Sequence, residues 1–157
     1  MTDADSPDVI DRVAGLSPGS ALARLRRERP DIVRYSEGAY AALLEPRDPG
    51  GVSRAERLAI ALRIAAVNED AVLAAHYRGE LASAGAAVTE DARWAAILRH
   101  VERVTRAPGT ATRAHLDELA AHGLSPRDIV TISQLVALVN YQVRVVAGLR
   151  LLQGAGQ

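Results

Sequence analysis

The chain has 157 residues, and its 19 Lys and Arg balance 19 Asp and Glu, so no net field steers it toward nucleic acid or an anionic membrane. It contains no cysteine, which excludes disulfides, thiolate metal sites and thiol nucleophiles from this sequence. Nearly half of the residues are apolar, yet there is no Phe and only one Trp, so the core is expected to be built from small and branched aliphatics.

A chain of this length suits one domain, spanning 1–157, with a helical extension over 1–50 and a core over 51–153. The opening "MTDADSPDVIDR" is acidic and polar, unlike a secretory leader, and a cytoplasmic location is the expectation. "SPGS" (17–20), "EPRDPGG" (45–51), "APGT" (107–110) and "HGLSPRD" (122–128) are turn chemistry, each followed by a helix start. Leu22, Leu25 and Arg26 open a short helix, and Ile32, Val33, Tyr40, Leu43 and Leu44 mark a second. The Arg-rich "ARLRRERPDIVR" (23–34) makes a cationic patch, read as a surface or subunit contact because Glu28 and Asp31 interrupt it.

Residues 53–67 are apolar nearly all round, which predicts a buried central helix, opened by a capping box of Ser53 and Glu56. A further helix is predicted over Glu69 to Ser83. Asp91 to Arg106 is amphipathic, with Trp94, Ile97, Leu98, Val101 and Val104 inward and His100 and Glu102 on its solvated face. Thr112 to His122 is shorter. Ser125 followed by Pro126 starts the last helical segment, which runs to Leu152 as two helices or as one that bends near Asn140. Its apolar stretch, Ile129 to Val143, is too short and too polar to span a bilayer. No run alternates as a strand does, so the fold class is all-α.

"SRAERLAIALRIAAVN" leading into "EDAVLAAHYRGEL" resembles the central segment of the alkylhydroperoxidase D-like and carboxymuconolactone decarboxylase families. "GLSPRDIVTISQLVALVNYQVRVVAGL" (123–149) is similar to their closing segment, above all in peroxidase-related members, through Asn140, Arg144 and Val146-Ala147-Gly148. The resemblance implies an alkylhydroperoxidase D-like helical bundle assembled as a homo-oligomer: a trimer, a hexamer or a related ring. It implies no resident cofactor. Active relatives carry Cys-x-x-Cys at the start of the second central helix, with a His four residues after the second Cys. Those cysteine positions fall here on Asp70 and Leu73, with Tyr77 at the His position, or on Glu69 and Val72, with His76 there. Neither register holds a thiol, so dithiol peroxidase chemistry is excluded. The decarboxylase branch uses no cysteine, and the resemblance makes His76, Glu69, Glu80 and Glu56 its candidate acid/base groups.

The residues themselves bear on that choice. Glu69, His76 and Glu80 stand at i, i+7 and i+11, which places them on one stripe of a continuous helix. An imidazole between two carboxylates is suited to relaying protons near neutral pH. The same residues are equally explained as a helix N-terminus that favours Glu69 and Asp70 and an ordinary His76–Glu80 pair. Glu56 has its capping box. Arg63 interrupts "LAIALRIAAV", where a buried charge needs a partner, either an ion pair across a helix or subunit interface or an anion in a pocket. Tyr77 is placed to pack on the last helix with its hydroxyl satisfied, and is a binding candidate with Arg63 and Asp70. "HLDELAAH" sets His115, Glu118 and His122 on one face, a spacing that arises readily by chance, so no metal site is assigned. Two functions from different classes remain open: small organic acid binding or lyase-type acid/base chemistry near His76, and a non-catalytic partner of cysteine-bearing relatives.

Overall fold

The computed structural model describes residues 8–85 and 87–154. These form α1 (Val9–Ala14), α2 (Ala21–Arg27), α3 (Pro30–Leu44), α4 (Arg54–Val67), α5 (Ala71–Ser83), α6 (Ala92–Arg106), α7 (Arg113–Ala121) and α8 (Pro126–Gly154), with a 3-10 turn at Pro108–Thr110. No strand occurs among the described residues. The protein is all-α.

Two helices organise the packing. The Ser53 hydroxyl accepts from the Glu56 N–H while the Glu56 carboxylate accepts from the Ser53 N–H, so α4 starts on the reciprocal bonds its sequence predicts. Leu58, Ile60, Ala61, Ile64 and Ala65 then bury most of its circumference. The alanines let α5 lie close against it, and α8 and α6 cover other faces. α8 is one continuous helix, about 43 Å long at about 1.5 Å per residue. It packs against α4, α1, α6 and α3 through Ile132, Leu135, Val136, Val139, Val146 and Leu149.

The continuity of α8 resolves the alternative of two helices in favour of one. It also alters the expectation for this segment, because the whole helix is long and apolar enough to cross a bilayer by length and composition. Here it serves as a core helix, with Asn140 and Gln142 buried among its neighbours.

α1 has no counterpart among the sequence-predicted elements. Asp8 caps it by accepting from the Asp11 N–H, and Gly15 ends it in the left-handed region at φ 69°. Its six residues are too few to show a period, yet Val9, Ile10 and Val13 are buried against α8 and α5. Arg26 ties α2 back to it by pairing with both Asp8 and Asp11. Part of the Arg-rich stretch is therefore an internal clamp, where the sequence suggested a surface patch.

Candidate functional site

The polar break between α4 and α5 is a helix junction in which each side chain has a local task. Asn68 caps the C-terminus of α4, and its amide donates to the Ile64 carbonyl at 2.9 Å and the Asn140 side chain at 3.2 Å. Glu69 is exposed and adopts φ 59°, the left-handed turn that redirects the chain. Asp70 caps α5 by accepting from the Leu73 N–H at 2.9 Å and pairs with Arg150 of α8 at 3.2 Å.

The predicted three-residue stripe therefore needs correcting. Glu69 lies outside α5 with a reversed backbone, so it does not stack above His76. His76 and Glu80 alone share the helix face. The physical cause is the junction: Asn68 and Asp70 cap two separate helices, and a residue between two caps follows the turn instead of the helical period.

His76 gains a partner that its own helix did not announce. Its Nε2 lies 3.3 Å from the Tyr40 hydroxyl of α3, and the two ring centroids are 6.3 Å apart. Tyr77 presents its ring edge-on to His76 at 5.0 Å and stacks with Tyr40 at 6.5 Å. The Tyr77 hydroxyl donates to the Gln142 side chain of α8, and the residue is fully buried. That is the packing role its sequence position suggested. Glu80 is half-buried and also lies 3.8 Å from Arg54.

These surroundings set the protonation states. Burial holds the His76 imidazolium below its ordinary range; Glu80 opposes that shift and Arg12 adds to it. His76 is therefore neutral at pH 7. Burial, reinforced by Glu80, pushes the Tyr40 hydroxyl up to about 12, so it remains a hydrogen-bond donor. In the tautomer whose Nε2–H donates to the Tyr40 oxygen, Nδ1 can accept a proton while the Tyr40 hydroxyl, protonated at pH 7, can donate to a developing oxyanion. Tyr40 is the group sequence reasoning missed. It was visible only as one apolar spacing mark, and the chain separation of 36 residues conceals the contact.

The remaining candidates stand elsewhere. Glu56 sits in its capping box and also pairs with Arg93 of α6. Arg63 is exposed and pairs with Glu102 of α6, a bridge between helices. The buried cation of α4 is Arg57, 3% exposed, whose guanidinium donates to the carbonyls of Val52 at 2.8 Å, Leu43 at 2.7 Å and Pro49 at 2.6 Å. About one and two-thirds helical turns separate the two arginines, so Arg57 meets the α3–α4 loop while Arg63 meets Glu102 at the surface. Likewise His100 does not lie on the solvated face of α6; it is buried, and neither ring nitrogen has a hydrogen-bond partner among the described residues. His115 is occupied by the Thr112 backbone, Glu118 pairs with Arg99, and no group of three metal-ligating side chains occurs among the described residues.

Among the described residues, two cavities border α8. An open apolar groove of about 590 Å³ runs between α3 and α8, lined by Ile32, Tyr35, Leu43, Leu138 and Tyr141 among others. A smaller cleft of about 300 Å³ lies between α6 and α8. His76 lines neither.

The arrangement of helices is shared with a solved protein. The crystal structure of an uncharacterized peroxidase-related protein from Silicibacter sp. TM1040 matches with a TM-score of 0.67, covering 75% of this chain and 68% of that one at 20% sequence identity. The shared property is the fold. No family model matches the chain, and no curated protein matches it.

Proposed function

We propose that the chain is a cysteine-free member of the alkylhydroperoxidase D-like and carboxymuconolactone decarboxylase families, working by proton transfer at His76 and Tyr40 on a small organic acid. The observation that carries this reading is the half-buried, neutral His76 holding Nε2 against the protonated Tyr40 hydroxyl, with Glu80 beside it. Fold likeness to a peroxidase-related protein supports the scaffold, while the lack of cysteine removes the thiolate that dithiol peroxidase chemistry needs. His76 is the base, Tyr40 the hydrogen-bond donor, and Glu80 the charge that keeps the imidazole basic enough to act. Glu56, Glu69, Arg63 and Asp70 are held by caps, ion pairs or the turn, and take no part in this reading.

Two measurements test it. The purified protein is expected to show no thiol-dependent turnover of alkyl hydroperoxides; turnover at ordinary enzyme rates that falls in His76→Ala would overturn the reading. With Arg106 of the α6–α8 cleft replaced by Gln, a panel of small carboxylic acids is expected to raise the melting temperature, and to lose that effect when Tyr40→Phe and His76→Ala are added. A panel in which no acid does so counts against it.

A second reading, a non-catalytic partner of cysteine-bearing relatives, is favoured by one observation: His76 lines neither cavity. The apolar groove between α3 and α8, with Ile32 and Tyr35 exposed beside it, supports assembly with further copies of this chain or with a relative. Light scattering on the purified chain separates these outcomes. A monomer unchanged by Ile32→Glu would remove the assembly expectation.

A further inference from the structure

The cleft between the last turn of α6 and the middle of α8 is chemically unlike the rest of the surface. It is lined by Arg106, Arg144, Thr105 and Asn140 together with the apolar Val136 and Pro108. No Asp or Glu lines it. Several other arginines meet acids, as Arg26 does with Asp8 and Asp11, Arg63 with Glu102, Arg93 with Glu56 and Arg99 with Glu118, while the buried Arg57 meets carbonyls. Among the described residues Arg106 and Arg144 form no ion pair.

The donors are also held in place. Arg144 Nη1 donates to the Asn140 carbonyl at 2.8 Å and to its side-chain oxygen at 3.1 Å, which fixes the guanidinium and leaves Nε and Nη2 for a ligand. Asn140 is itself pinned, with its amide donating to the Val136 carbonyl at 2.9 Å and to the Thr105 hydroxyl oxygen at 3.4 Å. Because Thr105 accepts there, its own proton points elsewhere. The negative end of α6 explains one cation in its last turn. It does not explain a second, brought from another helix to the same cavity; both arginines are exposed, and an anion shared between them would be favoured by both charges.

We infer that this cleft binds a small oxyanion, a carboxylate or phosphate carried on a short apolar body, gripped by Arg106 and Arg144, with Thr105 donating and Val136 and Pro108 covering the body. A cavity of about 300 Å³ suits a ligand of that size. Planar guanidinium pairs recognise both oxyanions through charge-assisted bonds. The inference rests on no part of the His76 reading.

Calorimetric titration of the full chain with butyrate and with inorganic phosphate, at constant ionic strength and with chloride as control, tests it. Saturable one-site binding is expected for at least one probe. Tighter phosphate binding assigns the phosphate source, and tighter butyrate binding the carboxylate. Arg106→Gln and Arg144→Gln are each expected to weaken binding about tenfold. Thr105→Val should weaken it less. The Arg106 side chain makes no hydrogen bond or ion pair among the described residues, so Arg106→Gln is expected to fold as the wild type does and decides the matter even if Arg144→Gln unfolds. Absence of saturation with both probes, equal competition by chloride, or unchanged affinity in Arg106→Gln would overturn the inference.

Discussion

Replacing Arg57 by Met removes the buried guanidinium that ties the loop between α3 and α4 to the start of α4. Three carbonyls, those of Leu43, Pro49 and Val52, lose charge-assisted donors at 2.6 to 2.8 Å. Each such bond contributes about 1.5–3 kcal/mol, so the gross loss is of order 4–9 kcal/mol. Two terms offset it. Folding no longer desolvates a guanidinium, the burial that holds the Arg57 pKa below its ordinary value, and the exposed Pro49 carbonyl regains water. A net loss of about 3–5 kcal/mol remains, a large share of a typical stability of about 5–15 kcal/mol. Arg63→Met, on the same helix, removes a half-exposed pair with Glu102 and should cost about 0–1 kcal/mol. Urea denaturation followed by far-UV circular dichroism measures both. Equal losses in the two variants, or a larger loss in Arg63→Met, would refute the assignment of the buried cation to Arg57.

Other outcomes follow from the same coordinates. His100→Leu should raise stability by about 1 kcal/mol, because it replaces a buried imidazole whose nitrogens lack partners; a clear loss would mean the ring is satisfied in solution. His76 and His100 are both held below their ordinary 6.5, so each binds a proton more readily unfolded than folded. Stability is then full above about pH 6.5 and falls as pH drops from there toward the folded values, below which it levels off. Thermal melts across that range check it, and an acid-side slope unchanged in the doubly substituted protein would contradict it. Glu80→Gln should lower the His76 pKa further, since Glu80 is the group that raises it; an upward shift by NMR titration would reject the site's electrostatics. Gly51→Ala places a Cβ 2.6 Å from Asp128 Oδ2, which must move and release the Gly51 N–H and the Ser125 bonds. A cost of about 2 kcal/mol is expected, shrinking in an Asp128→Ala background, and equal costs in both backgrounds would exclude the clash.

The helical design was legible because it is local. Turn chemistry, the Ser53–Glu56 box and the apolar spacing of α4 and α6 act over three to seven residues, and the elements appear where those signals put them. Lack of cysteine likewise excluded thiol chemistry without any coordinates. Much of what failed was a question of which side of a helix closes. Arg57 and Arg63 look alike in "RAERLAIALR", and His100 and Glu102 look alike in "LRHVER", until neighbours cover one residue of each pair. α1 is too short to carry a period, and only contact with α8 and α5 holds it.

The site divides in the same way. Composition and periodicity dictated a bundle of aliphatic helices with a polar junction at residues 68–70 and a histidine just beyond it. Tertiary packing alone brought Tyr40 of α3 to His76 and Arg106 to the cavity that Arg144 lines. Propensity and capping are settled within a turn of chain, whereas burial, charge pairing and proton affinity depend on what a distant helix places alongside.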